Sequence, residues 1–499
     1  MAEQMDSIEG PDPGLGRRAA RGAAVTLGAQ GTKVVIQMAS VIVLARLLDP
    51  HDYGLIAMVV TVIGIGELLR DFGLSSAAIQ APTLSVAQRN NLFWINTGIG
   101  LVLALLVYLF GAPLLSLLYA QPDLVPITHA LALIFVVNGL TTQYRADLVR
   151  RLRFSRLALA DILAPAVALC LAIVAALLGW GYWALVIQQL AQAMVLLLIV
   201  SVSARWLPGR PRRHVPLADL IQFGGNLVAT QLVGYISNNV DSFIIGVRFG
   251  ATPLGFYSRA FQLLMTPLNQ VRIPLTTVAL PVLSRLSSDT RRVGEYITQG
   301  QISLGYTLVA ALGLVVGAAH PITAVFLGGK WLSVAPILSL LALAGIFQIL
   351  AFVGYWVYLS RGLTRDLFRY TLLSSAIKVM CIVFGSQWGV IGVAAGYALA
   401  PAVSWPISLW WLSRRTDLPV RRLYGGAGRI LALVTLSASA VGALVFELRG
   451  TSAWLQLSAA IVATVAVYGL CALLIPAIRR DVATVVRLAR LVPARRAGR

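Results

Sequence analysis

Residues 91–118 read NLFWINTGIGLVLALLVYLFGAPLLSLL, 28 residues without one Asp, Glu, Lys or Arg. A helix needs about 20 mostly apolar residues to cross a hydrocarbon core about 30 Å thick. This stretch exceeds that, and tilt or protrusion absorbs the surplus. The same ruler, moved outward, finds fourteen such stretches, near 23–47, 54–79, 91–118, 123–144, 157–179, 181–204, 217–247, 254–285, 296–318, 334–360, 367–387, 389–412, 427–447 and 453–476. The expected fold class is therefore an all-α polytopic membrane protein. The tightest turns fall at Gly179-Trp180-Gly181 and Gln387-Trp388-Gly389, where a tryptophan beside glycine suits the membrane interface.

The 499 residues carry a net charge of +21 and a mean hydropathy of +0.82. A soluble chain that basic would point to nucleic acid. Here the basic residues sit in short connectors between apolar spans, where they set topology and meet anionic headgroups. A nucleic-acid partner is excluded on that ground. By the alternation of spans, one side collects 31 arginines, among them Arg145, Arg150, Arg151, Arg153 and Arg156, while the other holds only Arg46, Arg248, Lys330 and Arg449. The positive-inside rule then places both termini in the cytoplasm, as an even number of spans requires.

Arg17-Arg18 before an apolar run has the look of a secretory or twin-arginine signal. The run is too long for a signal core, contains Lys33 and is followed by further spans, so it reads as the first membrane helix. Residues 1–16, rich in Gly, Pro and acids, are expected to be disordered. Cys170, Cys381 and Cys471 lie within spans and read as packing residues. With no metal-ligand spacing, no Walker sequence and no long soluble loop, neither a metal nor another cofactor is expected, and nor is an enzyme.

The chain also repeats itself. Laying Arg46 on Arg248, an offset of 202, brings Gln37 onto Asn239 and Ser40 onto Ser242. Both copies follow with a proline-containing turn and a glycine, Gly54 or Gly255. The organisation expected is a tail (1–16), an N-lobe of six helices (17–205), a C-lobe of six (206–415), a terminal pair (416–478) and a basic cytoplasmic tail (479–499). Copies of equal orientation imply an axis along the membrane normal and a central cleft.

Ionisable groups within spans are costly and tend to face a cavity. The first span carries Gln30, Lys33, Gln37 and Ser40 at helical spacing. The second carries Glu67, Arg70 and Asp71, the seventh Asn238, Asn239 and Asp241, and the eighth Arg259, Gln262, Asn269, Gln270 and Arg272. Lys378 lies in the eleventh. Two readings stand side by side. Glu67, Arg70 and Asp71 form a local ion cluster, or Lys33, Arg70, Arg259 and Arg272 line a cationic cavity that attracts phosphate through forked arginine donors. Arg259 and Arg272 stand 13 residues apart, about 20 Å along one helix, and so cannot grip one phosphate together. Glu67 and Asp241 are the candidates for a coupling ion.

One block, Gly255-Phe256-Tyr257-Ser258-Arg259-Ala260-Phe261-Gln262, runs on through Pro267-Leu268-Asn269-Gln270 to Pro281 and Leu283-Ser284-Arg285-Leu286. It resembles the polysaccharide-transporter (Wzx-like) flippases. So do Leu47-Leu48-Asp49-Pro50-His51-Asp52-Tyr53-Gly54, Asp71-Phe72-Gly73-Leu74-Ser75-Ser76 and Leu327-Gly328-Gly329-Lys330-Trp331. That family belongs to the MOP superfamily, with the lipid II flippases and MATE exporters. The resemblance implies a V-shaped bundle of two lobes. It also implies transfer of an undecaprenyl-pyrophosphate-linked oligosaccharide across the bacterial inner membrane. Cavity arginines of the lipid II flippases lie on helices 1, 2 and 8, where this chain has Lys33, Arg70, Arg259 and Arg272. Lysine replaces arginine on the first.

The reading that follows is a lipid-linked oligosaccharide flippase working by alternating access for surface polysaccharide synthesis. Its partners would be that substrate, membrane lipids and the polymerase and glycosyltransferases of the pathway. A MATE-like exporter of small molecules would call for a more acidic cavity. A membrane glycan polymerase would call for a catalytic loop or a DxD site, which the sequence lacks.

Overall fold

A computed structural model describes residues 13–71, 73–80, 84–212, 218–286 and 289–494. The expectation of a disordered tail falls, for residues 1–12, outside this set, as do Arg213 and the last five residues, and the side chain of Asp71 is likewise outside it. The described chain is helical and without strands: eighteen α-helices joined by short turns. Eleven stretches among the described residues are long and apolar enough to cross a membrane, against the fourteen expected, and one of them, Thr364–Arg415, contains two helices of 22 and 27 residues, each of span length. Two long helices, α9 (Ala218–Phe249) and α10 (Ala251–Arg285), are outside the eleven. The second carries Arg259, Asn269, Gln270 and Arg272, which dilute its hydropathy.

The chain forms two compact units, residues 1–238 and 239–499. The first contains α1 (Pro13–Leu47), α2 (Pro50–Asp71), α3 (Leu74–Gln80), α4 (Val86–Leu106), α5 (Ala112–Tyr119), α6 (Leu124–Arg150), α7 (Phe154–Leu177) and α8 (Trp183–Ala204). The apolar stretch 91–118 belongs to a continuous rod, Val86–Tyr119. Ser85 starts it with a reciprocal cap: its hydroxyl accepts from Gln88 N at 3.1 Å, and its own N–H donates to Gln88 Oε1 at 2.9 Å. A π-helical turn at Val107–Gly111 separates α4 from α5. Gly100 and Gly139 let α4 and α6 approach until backbone meets backbone. A Cβ on Gly139 would stand 2.8 Å from Asn96 O, and one on Gly100 would collide with Phe135 O.

The boundary falls within α9, and the second unit holds its end from Asn239, all of α10, then α11 (Thr290–Leu304), α12 (Ala310–Phe326), α13 (Val334–Ser360), α14 (Thr364–Gly385) and α15 (Gly389–Arg415). It closes with α16 (Val420–Glu447), α17 (Ala453–Leu474) and α18 (Pro476–Ala494). A π turn at Gly305–Val309 joins α11 to α12, the same device as in the first unit. The expected basic tail begins instead as helix α18. Ile478 and Asp481 are buried while Arg479, Arg480 and Arg487 face outward, the amphipathic spacing of a surface helix. Arg429 on α16 pairs with Asp481 at 2.9 Å, and Tyr306 donates to the same carboxylate at 3.2 Å. The observed helices also outrun the expected spans. The stretch 296–318 becomes 290–326, because its charged first turn stays helical, capped by Asp289 on Arg292 N at 3.0 Å.

Repetition is written into the turns. After α6, Arg153 N donates to Leu148 O at 2.9 Å, and Leu152 has φ 55°. After α13, an offset of 210, Leu363 N donates to Tyr358 O at 2.9 Å, and Gly362 has φ 67°. Both are helix ends closed by a left-handed residue. Gly179 (φ 78°) and Gly389 (φ 73°) match at the same offset in the next turns.

Candidate functional site

In the first unit, the polar residues of α1 lie half-buried: Gln30, Lys33 and Gln37. Their spacing places them on one helix face. Gln37 Oε1 is buried without a hydrogen-bond partner, and Ser40, one turn on, accepts from Gln188 on α8 at 2.6 Å. On α2, Arg70 is buried, and its Nε meets Glu67 Oε2 at 2.9 Å across one helical turn. Its Nη1 donates to Thr142 Oγ1 at 2.6 Å and to Asn138 O at 3.3 Å on α6. Arg70 is thus held by one carboxylate, one hydroxyl and one carbonyl, which ties α2 to α6. Asn238, at the edge of this unit, is exposed.

In the second unit the polar groups converge from several helices. Asp241 on α9 is only 2% exposed. Tyr257, fully buried on α10, donates to Asp241 Oδ2 at 2.5 Å. The Lys378 ammonium on α14 interacts electrostatically with Asp241, and it lies 5.7 Å from the ring centre of Tyr397 on α15. Gln348 on α13 reaches Tyr397 Oη at 3.5 Å, and Phe261 packs edge-on against the same ring. Farther along α10, the Arg272 guanidinium lies over Phe352 at 4.8 Å and donates to Asn269 Oδ1 at 3.4 Å. Its charge also interacts with Tyr355 and Tyr397.

Of the residues singled out in the sequence, the structure joins Glu67 to Arg70, Asp241 to Lys378, and Asn269 to Arg272. Arg259 is buried on α10, Asn239 and Gln270 are half-buried, and Asn269 is exposed. Sequence reasoning missed Tyr257, Gln348, Phe352, Tyr355 and Tyr397. Tyr257 lies beside Arg259 in the quoted block and could have been found there. The others come from helices whose facing no local pattern reveals. Among the described residues, no three His, Cys, Asp or Glu side chains are grouped to hold a metal.

A family model described as "Polysaccharide biosynthesis protein" matches residues 43–336. The chain is 27% identical over 372 residues to the lipopolysaccharide biosynthesis protein WzxC of Escherichia coli (strain K12), covering 72% of this chain and 74% of that protein. It is 25% identical over 357 residues to the succinoglycan biosynthesis transport protein ExoT of Rhizobium meliloti (strain 1021), covering 70% and 71%. Among solved structures it matches the lipid II flippase MurJ in an inward closed conformation with a TM-score of 0.68 at 14% identity, over 90% of this chain and 98% of that one. An inward-facing multidrug resistance MATE family transporter of the MOP superfamily matches with a TM-score of 0.60 at 15% identity, over 81% and 99%. The fold is therefore that of the MOP superfamily, and the chain is a multi-pass membrane protein.

Proposed function

The chain belongs to the polysaccharide biosynthesis protein family, and on that premise we propose that it flips an undecaprenyl-pyrophosphate-linked oligosaccharide across the bacterial cytoplasmic membrane by alternating access. Both termini then lie in the cytoplasm, where the 31 arginines gather. The glycan head needs polar and aromatic surroundings, while the lipid tail stays in the bilayer.

The observation that carries this reading is the set formed by buried Asp241, Tyr257 and Tyr397 with half-buried Lys378 and Arg272. Ionisable groups at membrane depth are rare and mark substrate or ion pathways. An arginine lying on an aromatic ring keeps its forked donors free to turn toward phosphate oxygens. Tyrosine faces beside it suit the apolar face of a sugar ring. The charge balance, with Arg259, Arg272 and Lys378 against Asp241, suits an anionic cargo better than the cationic drug of an exporter. Lys33 and Arg70 would serve the same cargo from the first unit, and Asp241 and Glu67 are candidates for coupling to an ion.

The test uses cells that depend on this chain for surface glycan. Arg259→Ala and Arg272→Ala should each reduce export, with the lipid-linked intermediate accumulating on the cytoplasmic leaflet while the protein remains inserted. Arg272→Lys should restore part of the export if charge dominates and little if forked geometry does. Wild-type export by both alanine variants would remove the basis for the cationic site.

A further inference from the structure

We propose that the first unit carries a second, separate site, which binds a phosphate group, from an anionic lipid headgroup or from free inorganic phosphate, at the turn between α6 and α7. A cavity of about 320 Å³ opens there, lined by Val86, Arg89, Gln143, Asp147, Arg150 and Arg151. Gln143, Asp147 and Arg150 stand four and three residues apart, on one face of α6. Three guanidiniums share this cavity with one carboxylate, so it keeps an excess of two positive charges. Asp147 is already engaged twice: Oδ1 by Arg89 Nη1 at 3.0 Å and Oδ2 by Arg151 Nε at 2.9 Å.

Two residues in the wall of this cavity each bury a donor that has no acceptor. Gln143, only 1% exposed, has its Nε2 buried without a hydrogen-bond partner. Arg89, stacked over Trp206 at 4.2 Å, has its Nε buried in the same condition. Buried donors are ordinarily satisfied, so their pairing here calls for a group rich in acceptor oxygens. A phosphate offers such oxygens and carries the charge that the guanidiniums attract. Exposed Val86, Ile79 and Leu152 border the turn and provide an apolar path for acyl chains.

Folding does not demand these groups. The matched turn of the second unit makes the same backbone hydrogen bonds. At the offset of 210 it has Val353, Val357 and Ser360 where the first unit has Gln143, Asp147 and Arg150. An apolar packing therefore closes this turn equally well, and the polar set in one copy is there for something else. The site lies on α4, α6 and the turn after α6, none of which carries a residue proposed above for transport, and it stands or falls independently of that reading.

The full-length chain, purified in a neutral detergent, would be titrated with dioctanoyl phosphatidylglycerol, with dioctanoylglycerol as the phosphate-free control, and with inorganic phosphate. Binding would be read by native mass spectrometry and folding by Tm. Phosphatidylglycerol should bind saturably and dioctanoylglycerol should not. Arg150→Gln with Arg151→Gln should weaken binding about tenfold, the loss expected when charge-assisted hydrogen bonds go. Gln143→Met keeps the side-chain volume and should weaken it without lowering Tm. Inorganic phosphate that displaces the lipid would make the free ion an occupant, while failure to displace it would make the headgroup the occupant, and both results support a phosphate site. Binding that is unchanged in the folded variants, or equal for dioctanoylglycerol, would overturn it. Should the double variant not fold, Arg151→Gln alone, at a half-exposed position, decides the matter.

Discussion

The two units bury charge in opposite ways. In the first, Arg70 is answered by Glu67 three residues earlier and by Thr142 and Asn138 on a single neighbouring helix. In the second, Asp241 meets Tyr257, Lys378 and the Tyr397 environment, contributed by α10, α14 and α15. A pair closed within one turn survives any movement of other helices. A set shared among four helices depends on their mutual placement, so it responds when one of them shifts. The first arrangement suits a rivet and the second a sensor.

The most direct way to break this comparison is to remove the rivet. Arg70→Met leaves the half-buried Glu67 without its partner, and unfolding in detergent should show a loss of about 3 kcal/mol, the lower end for a buried pair because Glu67 keeps some exposure. The double variant Glu67→Leu with Arg70→Met should recover most of it, because no charge is then stranded. A small loss for Arg70→Met would mean that the pair does not bear on stability. Next in size, Tyr257→Phe removes one hydrogen bond to a carboxylate, and a stability loss of about 2 kcal/mol is expected from thermal unfolding.

Asp241→Asn sharpens the contrast. It keeps the shape and the Tyr257 contact while removing the charge that faces Lys378. Export should fall about tenfold, an effect worth ~1.4 kcal/mol in a rate, with Tm little changed. A Tm loss as large as that of Arg70→Met, with the export of the surviving protein intact, would turn the second set into another rivet. The smallest effect concerns the matched turns. Leu152 adopts φ 55° where the other unit has a glycine. Leu152→Gly should relieve ~1–2 kcal/mol of left-handed strain, partly offset by glycine's greater chain entropy, for a net gain below about 1 kcal/mol in chemical unfolding.

The Glu67–Arg70 pair was legible in the sequence because both partners sit one turn apart. So were the apolar rods, since the membrane imposes their length. The neighbourhood of Asp241 was not legible. Tyr397 lies 156 residues further along the chain. Which face α15 turns toward α13 and α14 is set by packing, as where Gly396 lets α15 close on the Cys381 carbonyl. The helix α18 was missed for another reason. Its arginines are dense enough to pass for a tail, although Ile478, Asp481, Val482 and Val485 already keep helical spacing.

The two π turns extend this asymmetry. At Val107–Gly111 the bulge is open on its outer side, where Leu109 and Phe110 face outward, and is held by His129 of α6, which stacks on Tyr108 and meets its carbonyl at 3.1 Å. At Gly305–Val309, Ile430 of α16 closes so tightly on Gly305 that there is no room for a Cβ. In mechanical terms, one copy keeps a joint open on one side and the other wears a splint, supplied by α16. Squeezing or stretching the surrounding medium works on the open side of the first joint directly. On the splinted one it must first displace α16.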